Sequence, residues 1–298
     1  MRLPSRGDGL LTSDRRHQLM WTRLVERRQS ICFPEAYDSG EPEPLPGSQR
    51  GKRYFVKLAH PGKPGSAASI RTEAKLLGLP AVRHCRAIAG LVAEGEWEGL
   101  PFLVKYQIPG PTLAQVLSDP ADLSSEEVGA LLHEMTVAAA ACWDAGYCVA
   151  DWSPSNANVP ARMLLDLGGA VRFGEPVRYA RAESPDRGSP GSAWVDLRGV
   201  CMLALDIYCA DSLARLRAGA LSYRDAFAHA SRSRPGACAP GLWQAVVRGL
   251  SLEPAARLTE PSDLLTMLAP WQPPHPDPPR AERPRGLLGR IWGRRAAR

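Results

Sequence analysis

The sequence predicts an α+β fold divided into two lobes, a small β-rich lobe with one helix and a larger, mainly helical lobe. Three observations support this. Short segments rich in aromatic and β-branched residues, typical of strands, lie between residues 54 and 108. One helical pattern interrupts them, and after residue 124 most segments carry apolar residues at helical spacing. The length of 298 residues suffices for one such two-lobed domain.

The small lobe is predicted from alternating strand and helix patterns. Residues 13–28 are polar and predict a short helix, and residues 40–52, dense in glycine and proline, predict a loop. The segment YFVKLA (54–59) predicts a strand. Residues 66–78 carry apolar side chains at spacings of four and three and end at a glycine, which predicts a helix.

Two further strands and several helices complete the prediction. The strands cover residues 91–97 and 101–108 and are joined by a Glu98-Gly99 turn. Ser124 followed by Glu127 is a capping-box pattern, and it begins a long helix with one apolar face. Residues 196–210 are apolar on nearly every face, which is typical of a helix at the centre of a large lobe. Residues 241–268 predict two more helices.

The composition is that of a globular protein, with 44% apolar and 23% charged residues. The net charge of +6 comes entirely from residues 280–298, which hold seven arginines and one acid. The rest of the chain is balanced, so we expect no specific nucleic-acid binding. The apolar runs are too short for a transmembrane helix, the N-terminus lacks a signal-peptide pattern, and the seven cysteines are scattered. We therefore expect a cytoplasmic location.

Five polar residues stand out because their types together suit phosphoryl transfer: Lys57, Glu73, Asp151, Asn156 and Asp166. A lysine can offset the charge of nucleotide phosphates, and a glutamate can hold that lysine in place. A carboxylate and a carboxamide supply the hard oxygen ligands that magnesium prefers. A further carboxylate can accept or orient the attacking hydroxyl. Because the transition state is loose, positioning and electrostatics supply most of the acceleration.

These five residues occur in the order found in the protein kinase superfamily, which the chain resembles over roughly residues 50–270. The resemblance implies that ATP and Mg²⁺ bind between the lobes. It implies that Lys57 touches the nucleotide phosphates and pairs with Glu73, and that Asp151 is the catalytic-loop aspartate. It further implies that Asn156 and Asp166, the latter in an Asp-Leu-Gly segment, hold the metal.

The same resemblance implies further site residues and domain limits. The hinge that grips adenine through its backbone corresponds to Lys105, Tyr106, Gln107 and Ile108. Ser153 stands where serine/threonine kinases carry a phosphate-contacting lysine, and Asp196 is expected to brace the catalytic loop. The implied divisions are an extension with a degenerate nucleotide loop (1–50), the small lobe and hinge (51–109), the large lobe (110–270), and a proline-rich linker with a basic tail (271–298).

Three departures from the family pattern stand out. Gly40, Gly47 and Gly51 precede Lys57 but do not make a glycine-rich loop. The catalytic loop has Val-Ala before Asp151 instead of His-Arg, and its D-x-S-x-x-N form is similar to that of RIO-type atypical kinases. Only about thirty residues separate Asp166 from Asp196, so we expect no switching by phosphorylation of this segment.

The sequence therefore predicts an ATP-dependent kinase, and a protein serine or threonine is the favoured phosphate acceptor. The first alternative is a pseudokinase that binds nucleotide or serves as a scaffold without transfer. A second, weaker alternative is a small-molecule kinase. In the tail, residues 285–298 place apolar side chains among arginines, which suits an anionic membrane surface, an acidic partner groove or a solvated tail.

Overall fold

Strands dominate the first third of the chain and helices the remainder. The computed structural model describes residues 10–13, 18–20, 24–27, 30–38, 53–118, 123–178 and 184–274. The small-lobe elements are β1 (Leu10–Leu11), β2 (Gln18–Met20), β3 (Val25–Glu26), β4 (Ser30–Asp38), β5 (Tyr54–Ala59), α1 (Ser66–Gly78), α2 (Pro80–Arg83), β6 (Leu91–Trp97) and β7 (Leu100–Tyr106). The large-lobe elements are α3 (Leu113–Ser118), α4 (Ser125–Asp144), β8 (Tyr147–Cys148), β9 (Ala157–Asn158), β10 (Met163–Leu164), β11 (Val171–Arg172), α5 (Ala193–Tyr208), α6 (Ala210–Arg217), α7 (Tyr223–Arg232), α8 (Pro240–Leu250) and α9 (Pro261–Leu268).

The small lobe is one antiparallel sheet that curls until its outer strands meet. The strand order is β1-β2-β4-β5-β7-β6, and β3 also pairs with β4. At the seam, Thr12 bridges Gly95, and the Ser13 N–H donates to the Glu94 carbonyl at 2.7 Å. The sheet is therefore a closed barrel, lined by buried apolar residues that include Leu19, Phe33 and Val56.

This barrel corrects two expectations. The predicted helix over residues 13–28 is wrong, because residues 18–20 and 25–26 within it form β2 and β3. The small lobe also begins before residue 51, because β1 to β4 belong to the same sheet as β5. Pairing with an existing sheet edge determined the conformation of this polar segment, and the helix prediction took no account of it.

The predicted strand over residues 54–59, the helix over residues 66–78 and the two strands that follow are confirmed, and the predicted loop over residues 40–52 lies outside the described residues. Helix α1 covers the predicted residues 66–78 and packs on β5, β6 and β7. Strands β6 and β7 form the predicted hairpin, and both turn residues have positive φ, 48° at Glu98 and 78° at Gly99. That backbone matches the twist of a two-residue hairpin turn.

The large lobe is built around two long helices. Helix α4 begins with the predicted capping box, in which Ser124 and Glu127 each bond the other's backbone N–H. Helix α5 is buried along most of its length, as its apolar sequence predicts, and packs against α4 and α8. Together with α9, these helices enclose the main apolar core. Short strands β8 to β11 lie on the side that faces the small lobe.

Among the described residues, no helix is both long enough and apolar enough to span a membrane. The basic tail at residues 285–298 lies outside the described residues.

Candidate active site

Lys57 lies buried in the middle of β5 and points away from the barrel interior. Its ammonium donates hydrogen bonds to Glu73 Oε2 and to both carboxylate oxygens of Asp166, each at 2.7 Å. Burial alone would lower the pKa of Lys57, but the carboxylates of Asp166 and Glu73 raise it, so the side chain stays charged. The structure therefore brings together a lysine from the small lobe and an aspartate from the large lobe.

Glu73 is fully buried on α1, and its carboxylate accepts hydrogen bonds from two lysine ammonium groups. Its Oε2 accepts from Lys57 at 2.7 Å, and its Oε1 accepts from Lys105 at 2.6 Å. The backbone N–H of Leu167 also approaches Oε1, at 3.4 Å. A buried carboxylate is stable only when its lone pairs are satisfied, and here both oxygens have charged donors.

The position of Lys105 corrects its assignment to the hinge. Lys105 belongs to β7, where its backbone pairs with Phe55, and its side chain is buried against Glu73. Lys57 pairs with Leu103 in the same ladder, so the two lysines lie on one face of the sheet, two positions apart. The sequence pattern shows a charged residue at the end of a strand, but it does not reveal which face that residue occupies.

The remaining hinge candidates lie at the end of β7, beside the start of β5. The ring of Tyr106 is half exposed and stacks on Tyr54 with centroids 5.8 Å apart. The Gln107 N–H donates to the Arg53 carbonyl at 2.9 Å. Within the described residues, the Ile108 N–H has no hydrogen-bond partner. A backbone N–H of this kind can donate a hydrogen bond to a nucleotide base.

Asp166 is the most electrostatically perturbed acid of the cluster. Burial would raise its pKa, but the ammonium groups of Lys57 and Lys105 and the N–H of Gly168 hold that pKa well below the ordinary value. Its carboxylate is nevertheless about one third exposed, with a side-chain exposure of 34%. An ionised carboxylate open to solvent can accept a metal ion.

Asn156 and Asp151 lie next to Asp166 because strands β9 and β10 pair. The Leu165 N–H, just before Asp166, donates to the Asn156 carbonyl at 2.8 Å. The side-chain Nδ2 of Asn156 donates to the Asp151 carbonyl at 3.1 Å, so its amide oxygen is not used in this bond. One backbone hydrogen bond thus ties Asn156 to the residue before Asp166, and one side-chain hydrogen bond ties it to Asp151.

The loop that carries Asp151 is anchored from below by α5. The buried carboxylate of Asp196 accepts hydrogen bonds from three N–H groups: the backbones of Val149 and Ala150, both at 2.9 Å, and the indole of Trp152 at 2.7 Å. Burial raises the pKa of Asp196, and these donors oppose the rise. The bracing role that the resemblance implies for Asp196 agrees with these contacts.

A strained turn lies directly before Asp151. Ala150 has a positive φ of 64°, and the Asp151 N–H donates to the Val149 carbonyl at 2.8 Å, closing a three-residue turn. A residue other than glycine in this region costs free energy and persists only where its surroundings impose it. Here the hydrogen bonds to Asp196 impose it.

Ser153 is less closely tied to the cluster. Its hydroxyl lies 2.8 Å from that of Ser155, within the same loop. Within the described part of the chain it has no hydrogen bond to Lys57 or Asp166, so its assignment to the nucleotide site stays a prediction.

Strand β4 pairs with β5, the strand that carries Lys57, and the three glycines that precede Lys57 follow β4 in sequence. Gly40, Gly47 and Gly51 lie outside the described residues, in the connection between β4 and β5. The β3–β4 connection is at the opposite end of β4, where the Arg27 N–H donates to the Ser30 carbonyl at 2.8 Å. Cys32, two residues along β4, pairs directly with Lys57. Because Ser30 pairs with Ala59, Arg27 lies near the end of β5, two residues beyond Lys57.

The donor set fits magnesium with a nucleotide. Among the described residues, no group of three histidine, cysteine or acidic side chains could hold a metal by itself. Magnesium commonly takes one or two protein oxygens and completes its shell with phosphates and water. Asp166 and Asn156 supply two such oxygens, and Lys57 supplies a cation for the phosphates.

Gly168 lies against the side chains of the cluster, so a larger residue there would force them to shift. An added Cβ would lie 2.8 Å from Ser69 Oγ and 2.9 Å from Lys57 Nζ. A methyl group at this position would therefore displace the lysine that joins the two lobes.

Comparison with known proteins establishes the fold. No family model and no curated protein matches the sequence. Among solved structures, the chain is similar to that of vaccinia related kinase 3, with a TM-score of 0.63 and 14% sequence identity. The match covers 92% of this chain and 95% of the other. The chain thus has a bilobal protein-kinase-like fold.

Proposed function

We propose that the chain is an ATP-dependent phosphotransferase that moves the γ-phosphate of ATP to a hydroxyl group. A serine or threonine of a protein is the proposed acceptor. The observation that carries the proposal is the Lys57 ammonium, which bonds Glu73 of one lobe and Asp166 of the other, each at 2.7 Å. Ionisable groups whose pKa values are shifted by burial and a specific charge partner, as at Lys57 and Asp166, cluster at functional sites.

Each residue has a distinct part in the proposed reaction. Asp166 and the amide oxygen of Asn156 hold magnesium, which neutralises phosphate charge when it is bound. Lys57 turns from Asp166 to the nucleotide phosphates while it keeps its bond to Glu73. Asp151 accepts or orients the hydroxyl of the acceptor. The backbone of residues 106–108 grips the base.

The class of acceptor rests on the sequence of the catalytic loop and not on a contact in the structure. The D-x-S-x-x-N loop has Ser153 where a phosphate-contacting lysine is usual, and this form resembles that of RIO-type kinases. The segment between Asp166 and Asp196 is short, which permits a small-molecule acceptor as the competing assignment.

One observation favours a pseudokinase as the second candidate. Lys57 bonds both carboxylate oxygens of Asp166, the same atoms that a metal requires. If that bond persists with nucleotide present, the chain binds ATP without transferring phosphate. A chain that binds ATP but transfers no phosphate would be identified as a pseudokinase.

Phosphate transfer from labelled Mg-ATP tests the proposal directly. We expect incorporation into the chain itself or into a generic basic protein substrate by the wild type. Asp166→Ala should reduce it by about 100-fold or more, since metal positioning supplies much of the acceleration. Asp151→Asn should reduce kcat by roughly 100-fold and leave Mg-ATP affinity nearly unchanged.

Asp144→Asn is the matched control, because Asp144 is exposed at the end of α4, outside the cluster. It should transfer phosphate at the wild-type rate. Transfer that survives in both site variants, or is absent from the wild type, refutes the proposed activity.

A further inference from the structure

Lys105 is a second buried lysine in the cluster, and the reaction described above does not use it. Only 3% of its surface is exposed. Its ammonium donates to Glu73 Oε1 at 2.6 Å and to the Leu165 carbonyl at 2.5 Å. Burying an ammonium is costly unless charged and polar acceptors surround it, so these two contacts define where the side chain must lie.

The two lysines divide the carboxylate of Glu73 between them. Lys57 takes Oε2 and Lys105 takes Oε1. Lys57 also bonds Asp166, whereas Lys105 bonds the backbone of Leu165, the residue directly before Asp166. One lysine therefore faces the reacting groups, and the other faces the backbone that supports them.

Helix α1 contacts the metal-binding segment at three backbone groups. Lys105, bonded to Glu73 of α1, holds the Leu165 carbonyl. Glu73 itself accepts from the Leu167 N–H at 3.4 Å. Ser69, one turn earlier in α1, donates to the Gly168 carbonyl at 2.7 Å. The three contacts span four consecutive residues, with Asp166 among them.

We infer that Lys105 is a positioning residue that holds α1 and the 165–168 segment together while Lys57 is engaged with phosphate. The inference rests on the proposed function and deepens it. When Lys57 leaves Asp166 for a nucleotide, Glu73 keeps a full charge partner on its other oxygen. The helix then stays docked without help from a phosphorylated segment.

Hydrogen–deuterium exchange without nucleotide tests this arrangement. Lys105→Met keeps the length and apolar stem of the side chain and removes its charge. We expect amide exchange in residues 66–78 and 164–168 to rise roughly tenfold or more, the effect of losing a hydrogen bond to a charged group. Lys75→Met, on the exposed side of α1, is the matched control and should leave exchange unchanged.

Kinetics supply a readout that a purely structural role would not move. Lys105→Met should lower kcat roughly tenfold or more while Mg-ATP affinity changes less than about threefold. Lys105→Arg should recover part of kcat, because the guanidinium keeps the charge but not the shape of the ammonium. An equal fall in kcat for both variants contradicts positioning by charge.

The exchange experiment separates this inference from the proposed function. If the wild type transfers no phosphate, the proposed function fails, and exchange alone then decides the role of Lys105. Unchanged exchange in Lys105→Met overturns the inference whatever the activity. If Lys105→Met does not fold, Ser69→Ala removes one of the three contacts, and unchanged exchange in residues 164–168 of that variant overturns the inference instead.

Discussion

The two lobes hold their functional groups by different means. In the small lobe, Glu73 is held by two cations, and both cations have a second partner. In the large lobe, the loop that carries Asp151 is held by the single carboxylate of Asp196, which accepts from uncharged N–H groups. In the small lobe the charged acceptor has charged donors that are bonded elsewhere as well, whereas in the large lobe one carboxylate binds several uncharged donors.

This difference matches what each region must do in the proposed reaction. When Lys57 exchanges partners, Glu73 must keep a charged hydrogen-bond donor, and Lys105 provides it. A catalytic loop needs a fixed backbone, and short hydrogen bonds to one buried acceptor provide that. The large-lobe anchor should therefore tolerate substitution less well than the small-lobe cluster.

The largest effect is expected at the anchor itself. Asp196→Asn replaces an acceptor oxygen by an amide donor that faces other donors, so buried N–H groups lose their partner. We expect a loss of about 3–5 kcal/mol in the free energy of unfolding, measured by urea denaturation. Asp206→Asn on the same helix is the control, because Asp206 pairs with the half-exposed Arg217 and its loss should cost about 1 kcal/mol. Equal losses in the two variants would mean that Asp196 stabilises the fold no more than the ion pair of Asp206 does.

A steric test of the same anchor should have a smaller effect. Gly199 on α5 allows Trp152 to pack closely, and an added Cβ would lie 2.3 Å from its ring atom Cδ1. We expect Gly199→Ala to cost about 1–3 kcal/mol and to lower kcat, because Trp152 adjoins Asp151. Gly90→Ala, where nothing lies within 4 Å, should leave thermal stability unchanged. A fully stable Gly199→Ala variant means that the loop position does not depend on this packing.

The smallest effect concerns pH and the small-lobe cluster. The pKa of Asp166 is lowered in the folded chain, so its stabilising contribution is complete above the ordinary value near pH 4 and is lost as the pH falls below it. The stability advantage of wild type over Asp166→Asn should therefore shrink as the pH falls from about 4 toward about 2. The change should be under about 1 kcal/mol because the carboxylate is one third exposed. An advantage that grows on acidification contradicts the lowered pKa.

The sequence predicts most elements whose signals are local. The capping box at Ser124, the helix over residues 66–78 and the buried helix α5 each follow from periodicity and caps within one segment. The meeting of Lys57, Glu73 and Asp166 was predicted through a resemblance to a family, because contacts across 16 and 109 residues leave no local pattern.

The failed predictions depend on strand pairing. The β-structure at residues 18–20 and 25–26 forms because β4 offers an edge, and polar residues there are compatible with a helix in isolation. The place of Lys105 depends on the register of β7 against β5, and helix α1 and strand β6 separate these strands in sequence. A shift of one residue would turn Lys105 to the opposite face. No composition or spacing rule detects that register.

The seam between Thr12 and Gly95 has a practical consequence for expression of the protein. A chain shortened to begin at residue 51 would lack four of the seven strands, and β5 would have an unpaired edge. The apolar lining contributed by Val56, Leu58 and Phe102 would then face water. Exposed edges and uncovered apolar faces recruit other chains, so such a fragment should aggregate even though every proposed reacting group is still present.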